Sequence, residues 1–160
     1  MAKKAEAEGE SLKLNEKKWS KELMAAGWTV IPNVILERQK AFGFDALDIN
    51  ILMHLAMFWW HPENKPHPSK KTIAEAIGVD PRTVQRRIAQ MEADGFLKRE
   101  ERRISNVGSK SNVYHFDGLI KEAKPFAKEM VQLKEAKTAA RDALRAKKGK
   151  PKLTLVKTDE

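Results

Sequence analysis

Apolar positions recur in two different periods along this chain, and the change of period divides it. Leu47, Ile51, Leu55 and Phe58 fall at helical spacing, with Leu52 and Trp59 on an adjacent stripe. A helix apolar over so much of its girth is predicted to be a central core element, capped by Asp45 and running to about Trp60. His61-Pro62 ends it, and the loop from Glu63 to Pro68, with Pro66 and Pro68, cannot continue a helix. Upstream, Trp28-Thr29-Val30-Ile31 reads as a short extended run stopped by Pro32. Asn33 is placed to cap a helix to about Lys40, with Val34 and Ile35 inward and Gly43 at its end.

Downstream the signals sharpen. Ser69 caps a predicted helix over Lys70 to Ile77 with Ile73, Ala74 and Ile77 on its inner face. Gly78-Val79 makes a tight turn, and Asp80-Pro81 opens a further helix with an acidic cap and a proline at its first position. That helix runs to about Asp94, closes at Gly95 and buries Val84, Ile88 and Met91. The period then falls to two: residues 96–104 and 112–116 read as paired strands, joined by the polar loop Ser105 to Ser111 around Gly108. After Gly118 a helical segment is interrupted at Pro125, and a long charged helix follows to Lys147. Buried Phe58 and Trp59, with Trp60 at an edge, complete the expected core.

These patterns divide the chain into a flexible charged segment (1–27), a compact domain (28–118), a helical extension (119–147) and a loose basic tail (148–160). Little fixed structure is expected before about residue 20. The fold class is mostly α with a small β-hairpin and a long C-terminal helix. Composition adds exclusions. With no cysteine, disulfides and thiolate metal sites are impossible. His54, His61 and His67 match no zinc spacing, so neither metal nor cofactor is expected. No apolar core of a signal peptide is present at the N-terminus, and the stretch 46–60 is too short to span a bilayer, so a cytoplasmic protein without membrane contact is expected.

The net charge of +9 is unevenly spread. Six Lys/Arg face five Asp/Glu over residues 1–27, thirteen face eleven over 28–118, and twelve face six over 119–160. Most of the excess therefore lies outside the domain. Inside it, the stretch from Arg82 to Lys110 holds eight Lys/Arg against four Asp/Glu, so positive charge gathers on one part of the fold.

Two short helices joined by a glycine turn and followed by a hairpin have the order of a winged helix-turn-helix. The stretch Lys70 to Leu97, KKTIAEAIGVDPRTVQRRIAQMEADGFL, resembles the winged helix-turn-helix domains of bacterial transcription regulators and of phage and plasmid replication proteins. The likeness extends over Trp28 to Phe116, including Ile31-Pro32-Asn33 and Ser111-Asn112-Val113-Tyr114. It implies DNA binding more firmly than any one cellular role.

The residue chemistry agrees with that implication. With Val84, Ile88 and Met91 inward, Arg82, Gln85, Arg86 and Gln90 face outward as candidate base readers, since arginine can fork onto guanine and glutamine onto adenine. Ser69, Lys70, Lys71, Thr83 and Arg87 are candidates for backbone phosphates, and Arg102, Arg103 and Lys110 for a flanking groove reached by the 105–111 wing. Phe126, Met130, Leu133, Lys137, Ala140 and Leu144 follow alternating three- and four-residue steps, a pattern that fits a homodimer through the C-terminal helix, the reading preferred here, and also a helix that packs only its first half on the domain. No catalytic set emerges: Glu100 and Glu101 point to opposite faces of a strand and cannot share an ion. The expectation is a non-enzymatic reader of double-stranded DNA, nucleoid-associated when bound. Its role is to regulate transcription, or alternatively to recognise a plasmid or phage origin. A protein-interaction adaptor using the C-terminal helix is the reading from another class.

Overall fold

The computed structural model describes residues 13–104 and 108–147. The tip of the hairpin at 105–107 and the tail 148–160 lie outside the described residues, as do the first twelve residues. The chain opens with helix α1 (13–19) and a single turn, α2 (Lys21–Ala25), where the Ser20 side chain accepts from the Leu23 amide at 3.4 Å. Residues 13–19 are thus helical where little structure is expected from their charge. Their apolar side chains stay mostly outside the core: Leu14, Trp19 and Leu23 are exposed, and Trp19 and Leu23 line a shallow hollow with Trp28 and Val30.

Helix α3 (Asn33–Glu37) is shorter than its pattern and has Pro32, not Asn33, at the capping position. Pro32 holds φ at −60° and steers the chain into the helix with no side-chain cap. Beyond it the backbone turns irregularly to Gly43, whose φ of +75° needs a glycine. This turn carries Phe42 and Phe44 into the core, where they meet Phe96 and Phe126 with ring centroids 4.8–5.9 Å apart.

Helix α4 (Ala46–Ala56) is held by a reciprocal cap. The Asp45 carboxylate accepts from the Leu47 and Asp48 amides, and the Asp48 carboxylate accepts from the Asp45 amide. It ends four residues before the expected Trp60. Residues 57–60 turn away, so Phe58 is exposed rather than buried, while Trp59 packs flat against Phe116 at 5.3 Å and the exposed Trp60 meets Trp28 edge-on at 6.3 Å. The proline-rich loop then runs beside the hairpin: Pro66 and Pro68 are buried, and the Tyr114 amide donates to the Pro66 carbonyl at 2.9 Å.

Helices α5 (Lys70–Ile77) and α6 (Pro81–Ala93) form as their caps require. Ser69 accepts from the Thr72 amide, Asp80 accepts from the Arg82 amide, and Gly78 takes φ +79° between them. Ile73 and Ala74 of α5 join Ile51 and Leu55 of α4 and Val84, Ile88 and Met91 of α6 in one buried cluster. The hairpin comes next. Strand β1 (Lys98–Glu100) pairs antiparallel with β4 (Val113–His115), and β2 (Arg103–Ile104) with β3 (Gly108–Ser109). The expected continuous ladder is broken because two residues on the outgoing side face three on the return, a one-residue bulge between Glu100↔Val113 and Arg103↔Ser109.

Helix α7 (Asp117–Lys147) is continuous for 31 residues, with Pro125 inside it. Pro125 thus interrupts nothing. Leu119 and Ala123 are buried before it, and Phe126, Ala127 and Met130 pack on the core after it. Burial on both sides outweighs the roughly 3 kcal/mol that an internal proline costs. The whole is mostly helical with a hairpin wing, the order of helices and strands that defines a winged helix-turn-helix.

The start of α7 leaves no room for a side chain. A Cβ on Gly118 would press into the Gly95 carbonyl oxygen, and both neighbours are backbone. Gly118→Ala is therefore expected to lower unfolding stability by about 2–3 kcal/mol, read as a lower denaturant midpoint at unchanged slope. A midpoint within error of the parent would show that this contact is not close-packed.

Candidate nucleic-acid interface

The face that α6 offers to solvent is set by the face it hides. With Val84, Ile88 and Met91 fully buried, a rotation of about 100° per residue turns Arg82, Gln85 and Arg86 outward. All three are exposed, as is Gln90. The guanidinium groups of Arg82 and Arg86 lie one turn apart and make no hydrogen bond or ion pair with the described residues. The two alanines Ala89 and Ala93 continue the same outward stripe, a low stretch that pattern reading passes over. Small side chains there let another surface approach the backbone.

Gln85 and Gln90 are engaged by neighbours. Lys70 Nζ donates to Gln85 Oε1 at 2.9 Å, tying the first turn of α5 to α6. Gln90 Nε2 donates to both carboxylate oxygens of Asp94, at 3.0 and 3.1 Å. Asp94 therefore puts negative charge beside Gln90, and the positive end of the face is the end with Arg82 and Arg86. Ser69, Lys70 and Lys110 come from separate stretches of sequence, yet they line one shallow depression with Ser111 and Asn112. Ser69 and Lys70 open α5, where free amides favour an anion. Lys71 pairs with Glu75 at 3.7 Å on the open surface, and Thr83 is half-buried.

Arg87 departs from the expectation of a phosphate contact. It points inward, Nη2 at 2.6 Å from Asp45 and Nη1 at 3.5 Å from Asp48, and so ties the middle of α6 to the cap of α4. The cause is register: position 87 sits beside the buried stripe, facing α4. Burial holds the Asp48 carboxyl above the usual carboxylate range, against the pull of Asp45's amide and of Arg87. Asp45 lies below that range, chiefly through the hydrogen bond from the Asp48 amide. A second tie links α6 to the wing: Arg99 Nε donates to Glu92 at 2.6 Å. Burial raises the Glu92 carboxyl, but the Arg99 hydrogen bonds and charge outweigh it and leave Glu92 low. Neither tie has a periodic signal, so the sequence alone shows neither.

In the wing, Arg102 is half-buried and acts inward. Its Nε donates to the Ser111 carbonyl at 3.1 Å, and Nη2 reaches Ser111 Oγ at 3.4 Å, bracing the bulge. Lys110 stands exposed. Arg103 belongs to β2, and its side chain lies outside the described residues. His115 bonds Glu100 at 2.9 Å across the strands. Among the described residues, no cluster of potential ligands could hold a metal ion, and no helix is long and apolar enough to cross a membrane.

Residues 46–97 match the family model described as a helix-turn-helix domain. This part of the chain is a helix-turn-helix domain. No curated protein matches the chain. Among solved structures, the N-terminal domain of DnaD protein from Geobacillus kaustophilus HTA426 is similar at a TM-score of 0.50. It is 16% identical over 71% of this chain and 93% of that one. A possible transcriptional regulator from Methanosarcina mazei Go1 is 17% identical over 73% of this chain and 88% of that one, with a TM-score of 0.41. The first of these likenesses shows a shared fold.

Removing Arg87 tests the tie between α4 and α6. Arg87→Ala leaves the buried Asp48 carboxylate without its cation and is expected to cost about 2 kcal/mol near neutral pH. The sign with pH comes from the raised Asp48 value. Its contribution to stability is full below the ordinary carboxylate range and is lost as pH rises through the folded pKa. As pH falls, Asp48 neutralises and needs no cation, so the gap between variant and parent narrows. Denaturant midpoints at several pH values check this. A gap that widens on acidification would contradict it.

Proposed function

We propose that this helix-turn-helix domain binds double-stranded DNA with sequence preference, laying α6 in the major groove and the 105–111 wing on the flanking backbone or minor groove. The supporting observation is the pair Arg82 and Arg86, one turn apart on an exposed face and unengaged by the described residues. Their forked donors suit guanine edges. Gln85 and Gln90 are the further base readers, and each must exchange its present partner, Lys70 or Asp94, for a base. Ser69, Lys70, Lys71 and Thr83 hold the backbone, with Lys110 and Arg103 on the wing side, while Arg102 acts indirectly by bracing the wing through Ser111. Arg87 acts indirectly, by fixing the angle of α6 through Asp45 and Asp48. The protein carries out no chemistry of its own in this reading.

Regulation of transcription is the role we take for such a reader, and it would be exercised in the cytoplasm on nucleoid DNA. Recognition of a replication origin uses the same surface. Two copies pair through α7 in this proposal. Every described side chain from residue 131 to 145 is exposed, including Val131, Leu133 and Leu144. The helix runs on past its own core contacts with Leu133 and Leu144 uncovered, and that exposed apolar side is the observation that favours a partner helix.

Binding of selected and random duplexes at several salt concentrations separates the roles. Arg82→Ala or Arg86→Ala is expected to erase about 1–3 kcal/mol of preference for the selected duplex. Lys110→Ala should weaken both duplexes alike and lower the salt slope by about one. Equal losses on both duplexes for all three variants would sink the assignment of base readers. No binding to any duplex at low salt would sink the function itself.

A further inference from the structure

We infer that two copies of the chain pair through α7 in antiparallel register, with Leu133 of each subunit against the partner's Leu144. This rests on the proposed pairing through α7 and specifies its geometry. The stripe that packs on the domain through Leu119, Ala123, Phe126 and Met130 continues past the domain's edge as Leu133, Lys137, Ala140 and Leu144, in steps of four, three and four. Leu133 is 49% exposed and Leu144 62%. The helix is therefore built for packing over its whole length, and its own domain uses only the first half.

Side-chain size decides the direction. A parallel pair would set Lys137 against the partner's Lys137 in the middle of the seam and Ala140 against Ala140. That joins two like charges at one layer and leaves a gap at the next. In the antiparallel pair the two-fold axis passes between positions 137 and 140. Each Lys137 then lays its four-carbon stem over the partner's Ala140 and carries its ammonium out to water. Leu133 meets the partner's Leu144 at both ends, so large faces large and long faces small in all four layers.

The same register fills an open groove. Where α7 leaves the domain, Asn33, Glu37, Arg38, Met130, Leu133 and Lys137 line a groove of about 630 Å³. In the antiparallel pair Met130 is level with position 147 of the other chain, so the last turn of the second helix arrives at this groove. One cost is built in. Lys134 comes beside the partner's Arg141, a like-charge contact at each end of the seam that salt screens. Pairing therefore strengthens with ionic strength where duplex binding weakens, and the two are separable. The attachment points of the two domains at position 126 fall about 38 Å apart along the helices. That is the scale of one turn of duplex DNA.

The chain has no cysteine of its own, so single thiols report the register without background. Leu133→Cys and Leu144→Cys full-length chains are each oxidised alone and as an equimolar mixture. In the antiparallel pair two copies of position 133 lie about 16 Å apart along the axis, beyond disulfide reach. Neither variant alone is then cross-linked, and the mixture gives a 133–144 disulfide, identified by mass spectrometry of the peptides. Self-cross-linking of Leu133→Cys would overturn the antiparallel register and leave the pairing standing. Light scattering of the parent chain is run at low and high salt beside it. A monomer throughout, with no cross-link in any sample, would overturn the pairing and the register together. Duplex binding by the parent chain, scored separately, shows whether the DNA-binding reading survives either result.

Discussion

The burial of one side of α6 against α4 and α5 is the constraint on which the rest of the structure depends. Val84, Ile88 and Met91 sink into a cluster with Ile51, Leu55, Ile73 and Ala74, each large side chain contributing roughly 1.5–3 kcal/mol by leaving water. That burial sets the helix about its own axis, and the axis setting decides which polar groups reach solvent. The ties from Arg87 to Asp45 and Asp48, and from Arg99 to Glu92, then hold α6 against α4 on one flank and the wing on the other. A helix fixed on three sides presents Arg82 and Arg86 in one arrangement, and a groove-reading helix requires that rigidity.

The sequence was most legible where local chemistry and packing agreed. Asp45, Ser69 and Asp80 cap the helices their positions foretell, Gly78 takes the left-handed turn, and the buried stripe of α6 is the one its period names. It was least legible where tertiary packing overrode local signals. Pro125 reads as a break, yet burial on both sides carries α7 through it. Phe42 and Phe44 flank a glycine in an aperiodic stretch, so nothing in their spacing announces that they build the aromatic cluster with Phe96 and Phe126. The exposed Phe58 is the converse: the helix stops one turn early, and the period continues past the element it describes.

The candidate site was legible in outline and less so in the roles of single residues. The outward set on α6 is given by the period alone. Competition for the same side chains leaves no trace in the period. Arg87 is one residue from Arg86 in sequence, but the turn of the helix gives it to Asp48, and its apparent freedom as a phosphate contact disappears. Gln90 is outward as expected, yet Asp94 occupies its amide. Arg102 spends its donors on the wing's own bulge. Of the four candidate base readers, Arg82 and Arg86 have nothing to bond inside the described fold, and a ligand reaches them at least cost.

Amide chemical shifts of the full chain, followed through titration with a short duplex at low salt, test this most directly. Shifts are expected to concentrate on the outward face of α6, the first turn of α5 and the wing, while the α3–α4 side and the exposed half of α7 stay still. Shifts that avoid α6, or a duplex that leaves every amide where it was, would contradict it.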